Sequence, residues 1–155
     1  MAPQFHELFD PGQVVLDLAA RTETEAILEI VEALRNNGRV AQYYEFANAV
    51  MEREGRSSTN TNDGVAFPHA RTDLVPEIVV GIGRSKAGVR FGQSKSPVHL
   101  IFLVGVPQRM VTDYLVTVGT IARIMRPPES RSALMAAETA DAFVQLLRDG
   151  ALLLE

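Results

Sequence analysis

The 155-residue sequence contains no cysteine and no tryptophan. Without cysteine there can be no disulfide, thiol nucleophile or cysteine-based metal site. No apolar run approaches the roughly 18–20 residues needed to span a bilayer, so direct membrane insertion is not expected. The opening stretch MAPQFHELFDPGQ has neither the basic nor the apolar region of a signal peptide. Excess positive charge is also missing: 15 Lys and Arg stand against 19 Asp and Glu, a formal net charge of −4. That balance leaves no electrostatic footprint for nucleic acid. A cytoplasmic location follows from these absences.

What is present is enough to build one domain over residues 1–155. The hydrophobic fraction is 46%, sufficient for a core at this chain length. VVLDLAA (14–20) reads as a strand or an extended lead-in. In the segment RTETEAILEIVEALRNNG, Thr22 and Glu25 have the spacing of a capping box. Ile27, Ile30, Val31 and Leu34 then mark a helix, and Gly38 stops it. AQYYEFANAVMERE (41–54) predicts a second helix ending near Gly55, with Tyr43 and Tyr44 as half-buried packing residues. Turn chemistry fills 55–64. VAF, EIVVGIGRS and PVHLIFLVGVP predict strands, with VRF a shorter one, and 98–104 has the apolar character of a central strand. Residues 110–125 return to helical spacing through Leu115, Val118, Ala122 and Met125. SRSALMAAE and ADAFVQLLRDG predict the last helices. The fold expected is an α/β sandwich around a mixed sheet.

Three histidines could carry chemistry. His6 lies in the N-terminal segment, and His99 sits in an apolar strand, where a hydrogen-bonded structural role is the simpler reading. His69 ends the short VAF strand within GVAFPHARTD. Pro68 holds the backbone before it and biases Phe67 to an extended conformation. A neutral imidazole is a competent nucleophile and can form a phosphoramidate. The phosphoryl oxygens then need cations, and Arg53, Arg56 and Arg71 all fall within 16 residues of His69. No spacing supports a metal site, and GIGRSKAG fails the pattern of a nucleotide loop. No cofactor and no metal are expected.

The segments REGRSSTNTNDGVAFPHAR, VPEIVVGIGRSKAGVRFG and SPVHLIFLVGVP, in that order and spacing, resemble the enzyme IIA domain of the phosphoenolpyruvate-dependent sugar phosphotransferase system. The likeness is to the fructose/mannitol type, which includes nitrogen-regulatory IIA proteins, and it extends over about residues 14–149. It implies a mixed five-stranded sheet flanked by helices. It also implies that His69 accepts phosphate from phospho-HPr, that Arg53 contacts the phosphoryl group, and that Thr59 and Arg71 are candidates for the phosphate pocket. The partners implied are an HPr-like phosphocarrier and a IIB domain, or a regulated transporter or kinase. Two departures stand out. Tyr114, in YLVTV, occupies the position of the family's second histidine. NTND (60–63) replaces a glycine-richer segment, and Asp63 is expected to bring negative charge near the incoming anion. A phosphorylatable carrier or regulator is the reading that results. A non-catalytic docking module on the same fold is the alternative, and a small-molecule-binding domain unrelated to phosphotransfer is a third.

Overall fold

A computed structural model describes residues 5–154; the side chain of His6 lies outside the described set. The first helix, α1, runs Glu23–Asn36. Its Thr22 hydroxyl accepts from Glu25 N, and the Glu25 carboxylate accepts from the Thr22 hydroxyl and from Arg21 N, which completes the capping box. Gly38, at φ 72°, follows the helix in the left-handed region that favours glycine. Helix α2 spans Tyr43–Arg56 and so continues through Gly55.

Five strands follow a mixed pattern. β1 (Val14–Val15) runs parallel to β4 (Val79–Val89), which is antiparallel to β5 (Val98–Val106). The far edge of β5 carries two short parallel strands, β2 (Val65–Ala66) and β3 (His69–Arg71). The expected VAF strand is therefore two residues long, and it breaks at Phe67-Pro68. Proline cannot donate to the ladder, and here Pro68 only accepts, from Val104 N at 3.0 Å. The expected VRF strand is not separate: Val89 closes β4, and Arg90 makes an isolated bridge with Thr22.

The remaining helices are α3 (Val111–Met125), α4 (Pro128–Ala136) and α5 (Ala140–Leu152). Alternation along β5 sorts the two layers. Phe102, Val104 and Val106 pack with α3, α4 and α5, while Ile101 and Leu103 pack with α1 and α2. Each such side chain, fully buried, stabilises the fold by about 1.5–3 kcal/mol. On β4, a Cβ at Gly81 or Gly83 would lie within 3.0 Å of Ile30 or Leu34 side-chain atoms, or of Leu18 and Ile30 atoms, respectively. Gly81 and Gly83 thus let α1 approach the sheet closely.

Two apolar expectations fail on exposure. Leu115 is 62% exposed on α3; Met125 is buried as expected, with Val118 and Ala122 packed against the core, and Thr117, Ile121 and Ile124 complete the inward face. Tyr44 is 70% exposed, whereas Tyr43 is half-buried and reaches Leu28 O through its hydroxyl. Buried Arg84 on β4 ties three segments together. Its Nε donates to Leu16 O at 3.0 Å, and its Nη1 donates to Leu134 O at 3.1 Å and to Ala137 O. Among the described residues, no helix is long and apolar enough to cross a membrane.

Candidate active site

The last turn of α2, the start of β3 and the start of α3 converge on a depression of about 490 Å³. Arg53, Arg56, His69, Arg71, Tyr114 and Glu52 line it. Each element presents its residue for a local reason. Arg53 sits at the C-terminal end of α2, where basic side chains offset the helix dipole, and its Nη1 donates to Ser57 O at 3.0 Å. Arg56 is held by Glu52 at 2.6 Å, in an ion pair exposed on both sides. Arg71 projects from the exposed position of β3, two residues after His69.

His69 opens β3 directly after the proline break, rather than ending the preceding strand. Its Nδ1 lies 3.0 Å from Phe67 O. A carbonyl oxygen can only accept, so Nδ1 carries the proton and Nε2 holds the lone pair of the neutral ring. No protein group bonds Nε2, and that atom is not sealed from solvent. Burial pushes the His69 pKa down; the Phe67 carbonyl pulls it up, Arg53 pushes it down, Glu54 pulls it up and Arg71 pushes it down. The net direction is below the ordinary histidine value, so the ring is neutral at pH 7. The Tyr114 ring stands 5.1 Å from the imidazole, tilted by 39°. Burial raises its pKa against the pull of Arg53 and Arg71, so it remains a protonated phenol able to donate a hydrogen bond.

Behind the imidazole runs a chain of bonds that the sequence reading did not anticipate. Glu54 is buried and accepts from Thr59 N and from the Thr59 hydroxyl, each at 2.7 Å. The same Thr59 oxygen accepts from Phe67 N at 3.1 Å. Phe67 is thereby fixed at its N–H by Thr59 while its carbonyl fixes His69. Thr59 stands outside the depression, with its hydroxyl proton given to Glu54 and its oxygen accepting from Phe67 N. A sequence signal for Glu54 did exist: Phe46, Ala47, Val50 and position 54 form one helical stripe, and a carboxylate occupies its last core position.

Asp63 corrects a further expectation. It lies in a different depression, beside Gly64, Lys86 and His99, and so brings no charge to His69. Among the described residues, no group of three or more His, Asp or Glu side chains is placed to hold a metal ion. In the lining of the depression, Arg53, Arg56 and Arg71 face Glu52, which Arg56 already neutralises, while the buried Glu54 acts on the imidazole from behind. The surplus of two guanidiniums beside an imidazole lone pair suits a phosphoryl group.

The family model described as "Phosphoenolpyruvate-dependent sugar phosphotransferase system, EIIA 2" matches residues 7–150. A fructose-specific EIIA component of Haloferax volcanii is 29% identical over 127 residues, 81% of this chain and 82% of that one. The fructose-specific EIIABC component of Bacillus subtilis is 28% identical over 142 residues, or 91% of this chain. The chain spans only 22% of that longer relative. Among solved structures, nitrogen regulatory protein IIA-Ntr of Neisseria meningitidis has the same fold. Its TM-score is 0.84 at 24% identity, covering 92% of this chain and 97% of that one.

Proposed function

We propose the function from one premise: this chain belongs to the phosphoenolpyruvate-dependent sugar phosphotransferase system EIIA 2 family. On that premise it is a cytoplasmic phosphoryl carrier whose working atom is His69 Nε2. The donor is the phosphohistidine of an HPr-like phosphocarrier. The Nε2 lone pair attacks phosphorus, and the electron pair of the donor's N–P bond returns to the donor nitrogen. Phosphorylation at Nε2 leaves the His69 ring cationic with its Nδ1 proton in place. The Phe67 carbonyl and the negative charge of Glu54 both favour that cation. Arg53 and Arg71 take the charge of the phosphoryl oxygens, and the Tyr114 hydroxyl supplies a neutral donor where relatives have an imidazole.

One observation carries this reading: a tautomer-fixed imidazole with an unbonded Nε2 shares a depression with two unneutralised guanidiniums. The acceptor is a IIB domain, supported by the joined A, B and C components in the name of the Bacillus relative. A second outlet is regulation of a transporter or kinase by the phosphorylation state; the relatives named nitrogen regulatory protein support a regulatory role in general. Leu115 and Val116, 62% and 63% exposed beside Tyr114, give the rim an apolar patch for a protein partner. That patch serves equally a docking module that never takes phosphate. Incubation with phosphoenolpyruvate, enzyme I and HPr separates the two. The carrier gains an acid-labile mass of one phosphoryl group. No gain, with phospho-HPr present, leaves the docking reading.

A further inference from the structure

An Asn or Asp followed by glycine occurs in this chain at Asn37-Gly38, Asp63-Gly64 and Asp149-Gly150. The step is reactive because glycine has no Cβ to shield its nitrogen from the preceding side chain. That nitrogen can close a five-membered ring onto Cγ when the peptide group between the two residues is free to turn. The three steps differ in that freedom. At Asp149-Gly150 the peptide group is held at both ends: Gly150 lies within α5, where its N–H belongs to the helix ladder, and Asp149 O accepts from Leu153 N at 3.2 Å. The Asp149 carboxylate is engaged too, by Gln145 Nε2 at 2.8 Å. At Asn37-Gly38 the Gly38 N–H donates to Arg35 O at 3.0 Å as the chain leaves α1.

At Asp63-Gly64 nothing holds the peptide group. Neither Asp63 O nor Gly64 N has a hydrogen-bond partner among the described residues, and the Asp63 carboxylate makes no hydrogen bond or ion pair with them. Asp63 is exposed at the tip of a tight turn. Thr61 N and the Thr61 hydroxyl both donate to Val65 O, at 2.9 Å and 3.0 Å, and so close the turn around Asn62, Asp63 and Gly64. Beyond the tip the chain is fixed again, because Gly64 O accepts from His99 N at 2.8 Å and from Leu100 N at 3.0 Å. The one loose peptide group thus sits between anchored neighbours.

We propose that Asp63-Gly64 is a spontaneous modification site, at which the folded chain converts aspartate to isoaspartate. Gly64 N attacks Cγ of the protonated Asp63 carboxyl. The C–N bond forms, and the nitrogen's proton leaves with the carboxyl hydroxyl as one water. Water then adds back to the succinimide. Opening at Cγ restores aspartate; opening at the Asp63 main-chain carbonyl carbon leaves the chain running through Cγ, with mass and formal charge unchanged. The product has one more carbon in its backbone just ahead of Gly64, whose carbonyl anchors the start of β2 to β5. That carbon also lies between Thr59 and Phe67, the two ends of the bond that steadies His69.

The test ages the folded full-length chain in mildly acidic buffer beside the same chain unfolded in urea, and locates isoaspartate by peptide mapping with electron-transfer fragmentation. In urea the two Asp-Gly steps isomerise at similar rates, because the dipeptide is the same. In the folded chain Asp63 keeps pace with its urea rate, while Asp149, which reacts only when α5 opens locally, falls behind Asp63 by at least about tenfold. Amide exchange at His99 and Leu100 quickens in the aged parent. It stays as in fresh protein in aged Asp63→Glu, which keeps the charge but would need a six-membered ring. Absence of isoaspartate at position 63 in the folded chain while the urea sample accumulates it would overturn the proposal. So would equal folded rates at 63 and 149, or exchange at His99 and Leu100 that quickens as much in Asp63→Glu or not at all in the parent.

Discussion

Two histidines of this chain are prepared alike and placed differently. His69 and His99 both give the Nδ1 proton to a backbone carbonyl, at 3.0 Å and 2.8 Å, and both leave Nε2 unbonded. Around His69 the charges are guanidiniums: Arg53 and Arg71 sit beside a half-buried ring whose pKa is pushed down, and Tyr114 stands against it. Around His99 they are Lys86, Arg131 and Asp63. A fixed tautomer therefore prepares a nitrogen without choosing its chemistry. The neighbouring charges choose it, and the guanidiniums of Arg53 and Arg71 are what suit the His69 nitrogen to a phosphoryl group.

The largest way to erase that difference is Arg53→Ala. Removing one preorganised donor at a developing anion costs about 10²–10³ in rate, so phosphorylation of His69 should slow by that factor in a rapid-quench assay. A loss of less than about tenfold would show that Arg71 alone suffices.

Tyr114→His sharpens the contrast in the opposite direction. It adds a second potential cation to the His69 pocket, where a charge-assisted hydrogen bond is worth about 1.5–3 kcal/mol. At about 1.4 kcal/mol per decade, transfer from phospho-HPr should speed up roughly ten- to a hundredfold. An equal rate in the variant, alongside a fast parent, would mean that the phenol already does the imidazole's work.

Thr59→Ala attacks the support behind His69 and leaves the pocket lining intact. It removes a hydroxyl from buried Glu54 and the acceptor for Phe67 N, so stability should fall by about 1–3 kcal/mol in urea unfolding. The ¹⁵N shifts of His69 should show mixed tautomers, and Thr59→Ser should restore both properties. A stability loss with the tautomer unmoved would make Thr59 a packing residue only.

The smallest effect is on pH. Burial first, then the arginines, hold the folded His69 pKa below the ordinary value of about 6.5. The unfolded chain thus binds the proton first on acidification. Stability should fall as pH drops through about 6.5, until the folded ring is protonated as well, and His69→Asn should flatten that part of the curve. The phosphorylation rate should stay level through that pH and decline only at the lower pH where the folded ring takes up its proton. A rate that rises on acidification would contradict a neutral nucleophile.

Much of this arrangement is legible in the chain. The Thr22–Glu25 box, the stop at Gly38 and the apolar run of β5 are local signals, and each sits where it was expected. PHAR points to a presented imidazole because proline disrupts the strand ladder at that place. What stays hidden depends on partners distant in sequence. Periodicity places Leu115 on a helical stripe but cannot say that no layer covers it. Asp63 is six residues from His69 in the chain, yet the loop carries it to the His99 end of β5. The bulge in β4, Ser85 to Gly88, is invisible to a two-residue period, because its four residues are recognised as three too many only against the single residue opposite, His99. Glu54 was readable as a carboxylate on a core stripe, but its bond to Thr59 needed the turn after α2 to close.

The central claim is that Nε2 of His69, and no other histidine nitrogen, takes the phosphoryl group. After transfer from phospho-HPr to the intact ¹⁵N-labelled chain, phosphorus–nitrogen correlation identifies the bonded atom. The account predicts one phosphoryl group on His69 Nε2, with the Nδ1 proton retained and His99 unmodified. A phosphoryl group on His99, or on Nδ1 of His69, would contradict it.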